Sequence, residues 1–318
     1  MMEVVTFGES MVLFSTDQRL PLEYVHQFNK QMAGAESNVA IGLAKLGHTV
    51  GWFSKLGQDP FGRYIHQFIR GQGVDTSRCL FTGEAPTAVF FKERRAAGHT
   101  QVYYYRNHSA ASCMTAEELD EAYLTQAKIL HVTGITPALS DSCLHLVLGA
   151  MDLARQHGVK IVFDPNIRWK LWEASDAKDI LLELASKADY ILPGLDEGEF
   201  LTGYKEPVES ASALLKLGAQ AVVIKLGKDG AYYQTSASSG YVPSFPVQEV
   251  DPVGAGDGFA AGFISGLLRG ESIEQAVRRA NAIGAIVVGV NGDVEGLPTD
   301  EELARMLSGE NDYQNVKR

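Results

Sequence analysis

The chain has 318 residues, 45% hydrophobic and 21% charged, enough for one large α/β core without disulfides. Its 28 basic and 39 acidic residues give a net charge of −11, which excludes nonspecific nucleic-acid binding, since that requires a basic surface. The three cysteines, Cys79, Cys113 and Cys143, form no paired framework and no zinc-ligand spacing, and they point to a reducing cytoplasm.

The first residues lack the basic start, apolar run and cleavage site of a signal peptide. No uncharged apolar run reaches membrane-spanning length. Short β-rich apolar runs predict strands over 4–7, 49–54, 129–132, 160–163, 190–192, 221–225 and 232–234. Helical patterns cover 37–46, 60–72, 141–157, 177–186 and 209–217. Glycine closes several of these, as in Leu46-Gly47 and His157-Gly158. The alternation predicts a mostly parallel sheet with helices on both faces.

Two stretches break the rhythm. Residues 12–31 have few helix features and predict one or two strands. Residues 87–106 predict a hairpin, 87–93 and 100–106, around a turn over 94–99 centred on Ala-Ala-Gly. The run Val102-Tyr103-Tyr104-Tyr105 is strongly β-prone. The two inserts together predict a small β lid (12–31 and 87–106) on an α/β core (1–11, 32–86 and 107–310), followed by a frayed tail over 311–318.

Five motifs carry the candidate chemistry. Ala33-Gly34-Ala35-Glu36-Ser37-Asn38 leads into a helix; it is either an ordinary helix start or a polyol site served by the Asn38 amide. On the second hairpin strand, Tyr104 and Arg106 are two apart and share a face, while Tyr103 and Tyr105 face away. They face a ligand, or else they form a packing stripe with a solvated arginine. Asp164-Pro165-Asn166-Ile167-Arg168 follows an apolar strand, where open α/β sheets bind ligands. Arg168 there suits a carboxylate, or a structural salt bridge. Lys225-Leu226-Gly227-Lys228-Asp229-Gly230 is a nucleotide-binding turn or merely a hairpin turn.

The most informative motif is Asp251-Pro252-Val253-Gly254-Ala255-Gly256-Asp257. A strand is expected over 246–250 before it and a helix over 259–268 after it. Small residues at a helix N-terminus leave N–H groups open to an anion. Asp257 in the same turn would take a proton from an attacking hydroxyl, so the pair points to phosphoryl transfer. No P-loop run occurs, and Phe259 stands where a dinucleotide fingerprint needs glycine. No His-Glu-x-x-His cluster suggests catalytic zinc.

Taken together and in this order, these motifs resemble the ribokinase-like (PfkB) carbohydrate kinase family over nearly the whole chain. The resemblance implies a ribokinase-like α/β core with a β lid, ATP as donor, Mg²⁺, and in many members a monovalent cation. It implies that Gly254, Ala255, Gly256 and Asp257 form an anion hole, with Asp257 as catalytic base. Nucleotide contacts are implied for Asn166, Ile167, Arg168, Lys225, Leu226, Gly227, Lys228, Asp229, Gly230 and the anion hole. Within the family the likeness is to members acting on the sugar acid 2-keto-3-deoxygluconate. That implies substrate contacts from Gly34, Ala35, Glu36, Ser37, Asn38, Phe90, Tyr104, Tyr105, Arg106, Arg168, Asp257 and Asp293. Arg106 and Arg168 would hold the carboxylate, which a neutral hexose lacks. The family's metal-organising Asn-x-x-Glu keeps Glu197 but has Gly194 at the Asn position, so Glu197 is expected to act only through water. Pairing of two copies through the lid is a further expectation. The alternatives are a neutral-sugar kinase, such as one for fructose, and a non-catalytic sugar-binding regulator.

Overall fold

The computed structural model describes residues 2–95, 100–172 and 177–309. The centre of the expected hairpin turn, 96–99, and the expected tail over 311–318 lie outside the described residues. In chain order the strands are β1 (Val4–Phe7), β2 (Met11–Ser15), β3 (Asn29–Ala33), β4 (Val50–Phe53), β5 (Lys55–Gly57), β6 (Leu80–Thr82), β7 (Val89–Arg94), β8 (Thr100–Tyr105), β9 (Ile129–Thr133), β10 (Lys160–Asp164), β11 (Tyr190–Ile191), β12 (Ala221–Lys225), β13 (Ala231–Thr235) and β14 (Ser239–Val242). The helices are α1 (Ala35–Lys45), α2 (Pro60–Gly71), α3 (Glu121–Thr125), α4 (Asp141–Gln156), α5 (Ala177–Lys187), α6 (Leu195–Thr202), α7 (Pro207–Leu215), α8 (Ala255–Leu268), α9 (Ile273–Val288) and α10 (Asp300–Ser308).

An eight-stranded sheet runs β14-β13-β12-β11-β10-β9-β1-β4. It is parallel from β12 to β4 and antiparallel at the β12-β13-β14 edge. Alternate strand residues feed two different cores. Val4, Val162 and Val223 pack with Phe259, Phe263 and Ile283 of α8 and α9. Val5, Ile161, Phe163, Val222 and Ile224 pack with Leu146, Leu181 and Leu214 of α4, α5 and α7. A sheet covered on both faces is why its strands read as continuous apolar runs. Each such side chain contributes about 1.5–3 kcal/mol by leaving water.

A second, four-stranded sheet runs β3-β2-β7-β8. Its inner face carries Leu13, Phe90 and Tyr104, and its outer face carries Phe14, Phe91 and Tyr105, as the alternation of β-strands requires. Strand β5 pairs with β6 in a short third sheet.

The 246–250 segment is not a strand but extended loop. Its last residue donates its N–H to Val288 O at 2.7 Å, at the end of α9, instead of joining a sheet. The first strand of the hairpin, β7, begins at Val89 rather than at Thr87, because Thr87 is engaged elsewhere. Its N–H donates to Asp59 and its hydroxyl accepts from the Gly57 N–H.

Candidate active site

Polar groups gather at the carboxyl ends of β1, β10 and β12, where open α/β sheets present ligand sites. The first turn of α8 closes the site. Its N-cap, Gly254, has φ +80°, and a Cβ there would lie 2.6 Å from the Asp293 carbonyl oxygen, so glycine is required twice over. The N–H of Ala255 reaches back to Pro252 O at 3.4 Å. Those of Gly256 and Asp257 find no acceptor among the described residues and carry the positive end of the helix dipole.

The turn over 252–257 is a shared wall. On one side lies a cavity of about 390 Å³, lined by Lys225, Gly227, Lys228 and Gly230, by Phe245, Val247 and Asn281, and by Pro252, Ala255 and Gly256. On the other lies a cavity of about 280 Å³ between the core and the small sheet. Gly34, Ala35, Asn38, Phe90, Tyr104, Arg106, Arg168, Gly254, Asp257 and Asp293 line it, together with Glu9 and Lys92.

Asp257 is held from two elements. Asn38 Nδ2, in the first turn of α1, donates to Oδ2 at 2.7 Å, and Asn166 Nδ2, beyond β10, donates to Oδ1 at 3.4 Å. Asn166 adopts φ +38°, a left-handed backbone that asparagine tolerates better than most residues. Burial raises the pKa of Asp257, against the opposing pull of Asn38, Arg168, Lys225 and Asn166. Asp293 is pushed up to about 7 by burial and by the Asp257 charge, while Lys92 works the other way.

Below the turn, Lys225 Nζ donates to both oxygens of Asp164, at 2.9 and 2.8 Å. Burial opposes the charge on Lys225, yet Asp164 and Glu197 outweigh it and raise its pKa. Burial pushes Asp164 up to about 6, with the Lys225 charge opposing. Glu197 is fully used by the backbone: its two oxygens accept from the N–H groups of Ile167 and Gly194, each at 2.7 Å.

Some expected site residues lie elsewhere. Glu36 is completely buried behind the cavity wall, where its Oε1 accepts from the Thr133 and Thr136 hydroxyls. Ser37 is buried too, and its hydroxyl donates to Gly34 O while accepting from Ser10. Tyr105 packs edge-on against Phe91 on the opposite face of the lid. Asn166 and Ile167 line neither cavity, and Arg168 lines the lid-side cavity rather than the larger one. Leu226 and Asp229 face a separate hollow beside the N-terminus of α6.

Glu9, Lys92, Phe245 and Asn281 are residues that the sequence reading did not single out. Lys92 had a signal, being two residues beyond Phe90 on one strand and therefore on the same face. Glu9 and Asn281 reach the site only through the tertiary arrangement.

The fold is an α/β core with a small second sheet, and its two cavities share one glycine turn as a wall, an arrangement suited to an enzyme with two small-molecule substrates. Residues 1–300 match the pfkB family carbohydrate kinase pattern. A 2-dehydro-3-deoxygluconokinase of Bacillus subtilis is 46% identical over 99% of this chain and 98% of its own length. The crystal structure of 2-dehydro-3-deoxygluconokinase from Thermotoga maritima superposes with a TM-score of 0.87 at 27% identity, covering 97% of this chain and 98% of that one. A ribokinase II from E. coli, in complex with ATP and Mg²⁺, superposes at 0.91 with 26% identity over 97% of this chain and all (100%) of its own. The chain belongs to the pfkB family and is an ATP-dependent carbohydrate kinase.

Proposed function

We propose that the enzyme transfers the γ-phosphoryl group of ATP to the 6-hydroxyl of 2-keto-3-deoxygluconate, with Asp257 as general base. The observation that carries this reading is the turn over 252–257, which lines one cavity with Ala255 and Gly256 and the other with Gly254 and Asp257. A phosphate at the open N–H groups meets a hydroxyl beside Asp257 with only the first turn of α8 between them. Phosphoryl transfer has a loose transition state, so catalysis rests on positioning and on stabilising charge. Preorganised N–H donors in such sites are worth about 3–4 kcal/mol each. Asp257 accepts the hydroxyl proton late, and Asn38 keeps its carboxylate aimed.

The larger cavity suits ATP. Phe245, Val247 and Val288 offer apolar surface to a base, while Lys225 and Lys228 lie toward the phosphates. The residues fit a Mg²⁺ carried on those phosphates rather than caged by protein. Among the described residues no cluster of three or more His, Cys, Asp or Glu is placed to hold a metal. Asp164 is taken by Lys225 and Glu197 by two backbone N–H groups, so either would reach a hydrated ion only through water. The bound ion would neutralise charge on the β- and γ-phosphates. The smaller cavity is lined by Asp257 and by Arg168, an exposed cation that would give a sugar acid's carboxylate a partner. The small sheet acts as a lid that excludes water from the transfer.

The test is ADP release across 2-keto-3-deoxygluconate, its galactose-derived epimer, gluconate, fructose, ribose and a nucleoside. The 2-keto-3-deoxy acids are expected to turn over fastest. A preference for fructose would overturn the substrate, and no turnover with any of them would overturn the kinase reading.

A further inference from the structure

The sugar-side cavity holds three cations, Lys92, Arg106 and Arg168, and their surroundings differ. Lys92 Nζ is paired with Asp251 at 2.7 Å. Arg106 Nη2 lies 2.5 Å from Glu9 Oε2. Arg168 makes no ion pair among the described residues. The expectation that both arginines hold one carboxylate therefore meets a different arrangement.

Glu9 follows β1, and its side chain is wholly buried. Its Oε1 accepts from Ser109 Oγ at 2.5 Å. Arg106 is 9% exposed, with its Cζ 5.5 Å from the centroid of the Tyr104 ring. The contact between Glu9 and Arg106 is one of charge: its angles do not make a hydrogen bond, and Nε and Nη2 of Arg106 are buried with no hydrogen-bond partner. Buried donors of this kind cost stability unless something accepts from them. Those two nitrogens are closed off from solvent, and the 8% of the side chain that stays exposed lines the cavity, where a ligand oxygen can meet it.

We propose that Glu9 is a positioning residue that neutralises and orients Arg106, so that Arg106 reads an uncharged keto or hydroxyl oxygen of the sugar and the carboxylate is left to Arg168. An arginine already facing a carboxylate offers little net attraction to a second one, and a sugar carboxylate placed there would meet the Glu9 charge. The assignment of the carboxylate to Arg168 rests on the sugar-acid reading above; the coupling of Glu9 to Arg106 does not.

The experiment measures kcat and KM for the wild type, Glu9→Gln, Arg106→Gln, the double variant and Arg168→Gln. The two substrates are 2-keto-3-deoxygluconate and its carboxyl-reduced counterpart, 3-deoxyfructose. Glu9→Gln and Arg106→Gln are each expected to raise KM about tenfold for both sugars alike, with kcat within about twofold, the signature of lost uniform binding. The double variant is expected to be no worse than Arg106→Gln, because the two side chains act as one unit. Arg168→Gln is expected to remove the preference for the acid. Multiplying losses in the double variant would overturn the inference, as would an Arg106→Gln that loses the acid selectively. A wild type without preference for the acid would sink the substrate reading instead, and the cycle on the neutral sugar would still decide the coupling. Should Glu9→Gln fail to fold, Arg106→Gln decides: equal loss on both sugars supports the inference and selective loss of the acid overturns it.

Discussion

The proposed base, Asp257, is a carboxylate buried in the first turn of α8, next to the open N–H groups of Gly256 and of its own backbone, and burial opposes its charge. Burial pushes its pKa up, and Asn38, Arg168, Lys225 and Asn166 bring it part of the way back. A general base works only when ionised, so kcat should fall as pH drops through this raised pKa, above the usual carboxylate range. Asp257→Asn keeps an acceptor for Asn38 Nδ2 and should fold normally. It is expected to lose at least about a hundredfold in kcat, and its residual rate should lack that acid limb. Rate–pH profiles of the two proteins check this; near-normal turnover by the variant would rule Asp257 out as the base. The motif that carries Asp257 was legible in the sequence as a run of small residues leading into a helix, and the structure starts α8 at Ala255. Its companions were less legible. Glu9 is one acid among 39 acidic residues, and only the meeting of the segments that follow β1 and β8 brings it to Arg106.

At the scale of elements, α1 shows how an expected contact becomes a structural one. Glu36 stands in its first turn, where a carboxylate favours the helix dipole, but it points into the core against Gly8. Burial pushes it up to about 7 from an ordinary value of 4.5, with the Thr133 and Thr136 hydroxyls opposing. A carboxyl whose folded pKa is raised stabilises the fold fully below its unfolded pKa. That contribution disappears as pH rises through about 7. The difference amounts to at most about 3 kcal/mol. Glu36→Gln should therefore lack this pH-dependent loss. Urea midpoints at pH 5 and 8 measure it, and an equal drop in both proteins would refute the assignment. Most elements were legible because they repeat a simple pattern. The apolar runs of β1, β10 and β12 are buried on both faces, and glycines at φ +85° and +73° end α1 and α4. The misread stretch over 246–250 has the composition of a strand but lines the larger cavity as loop, held by its hydrogen bond to Val288 at the end of α9. Helix α9 went unread although its start bears a capping box, Ser272 with Gln275.

For the molecule as a whole, the small sheet sets the problem. Its inner face lines the smaller cavity, and ties such as Lys92 to Asp251 and Gln31 to Glu295 join it to the core. Its outer face is covered at one end, where Phe14 packs against Phe61 of α2. At the other end Tyr103 and Tyr105 are 36% and 66% exposed. A four-stranded sheet with part of one face in water gains from a partner, and aromatic residues are the usual anchors of such contacts. We expect two copies to pair through this face and so steady the lid over the sugar. Light scattering should give a dimer for the wild type and a monomer for Tyr105→Glu, which puts an unpaired charge into the contact. Tyr105 lies across the sheet from the cavity, so the variant should raise KM for the sugar through a looser lid and leave KM for ATP unchanged. A monomeric wild type, or a variant that stays dimeric, would remove the lid from the interface.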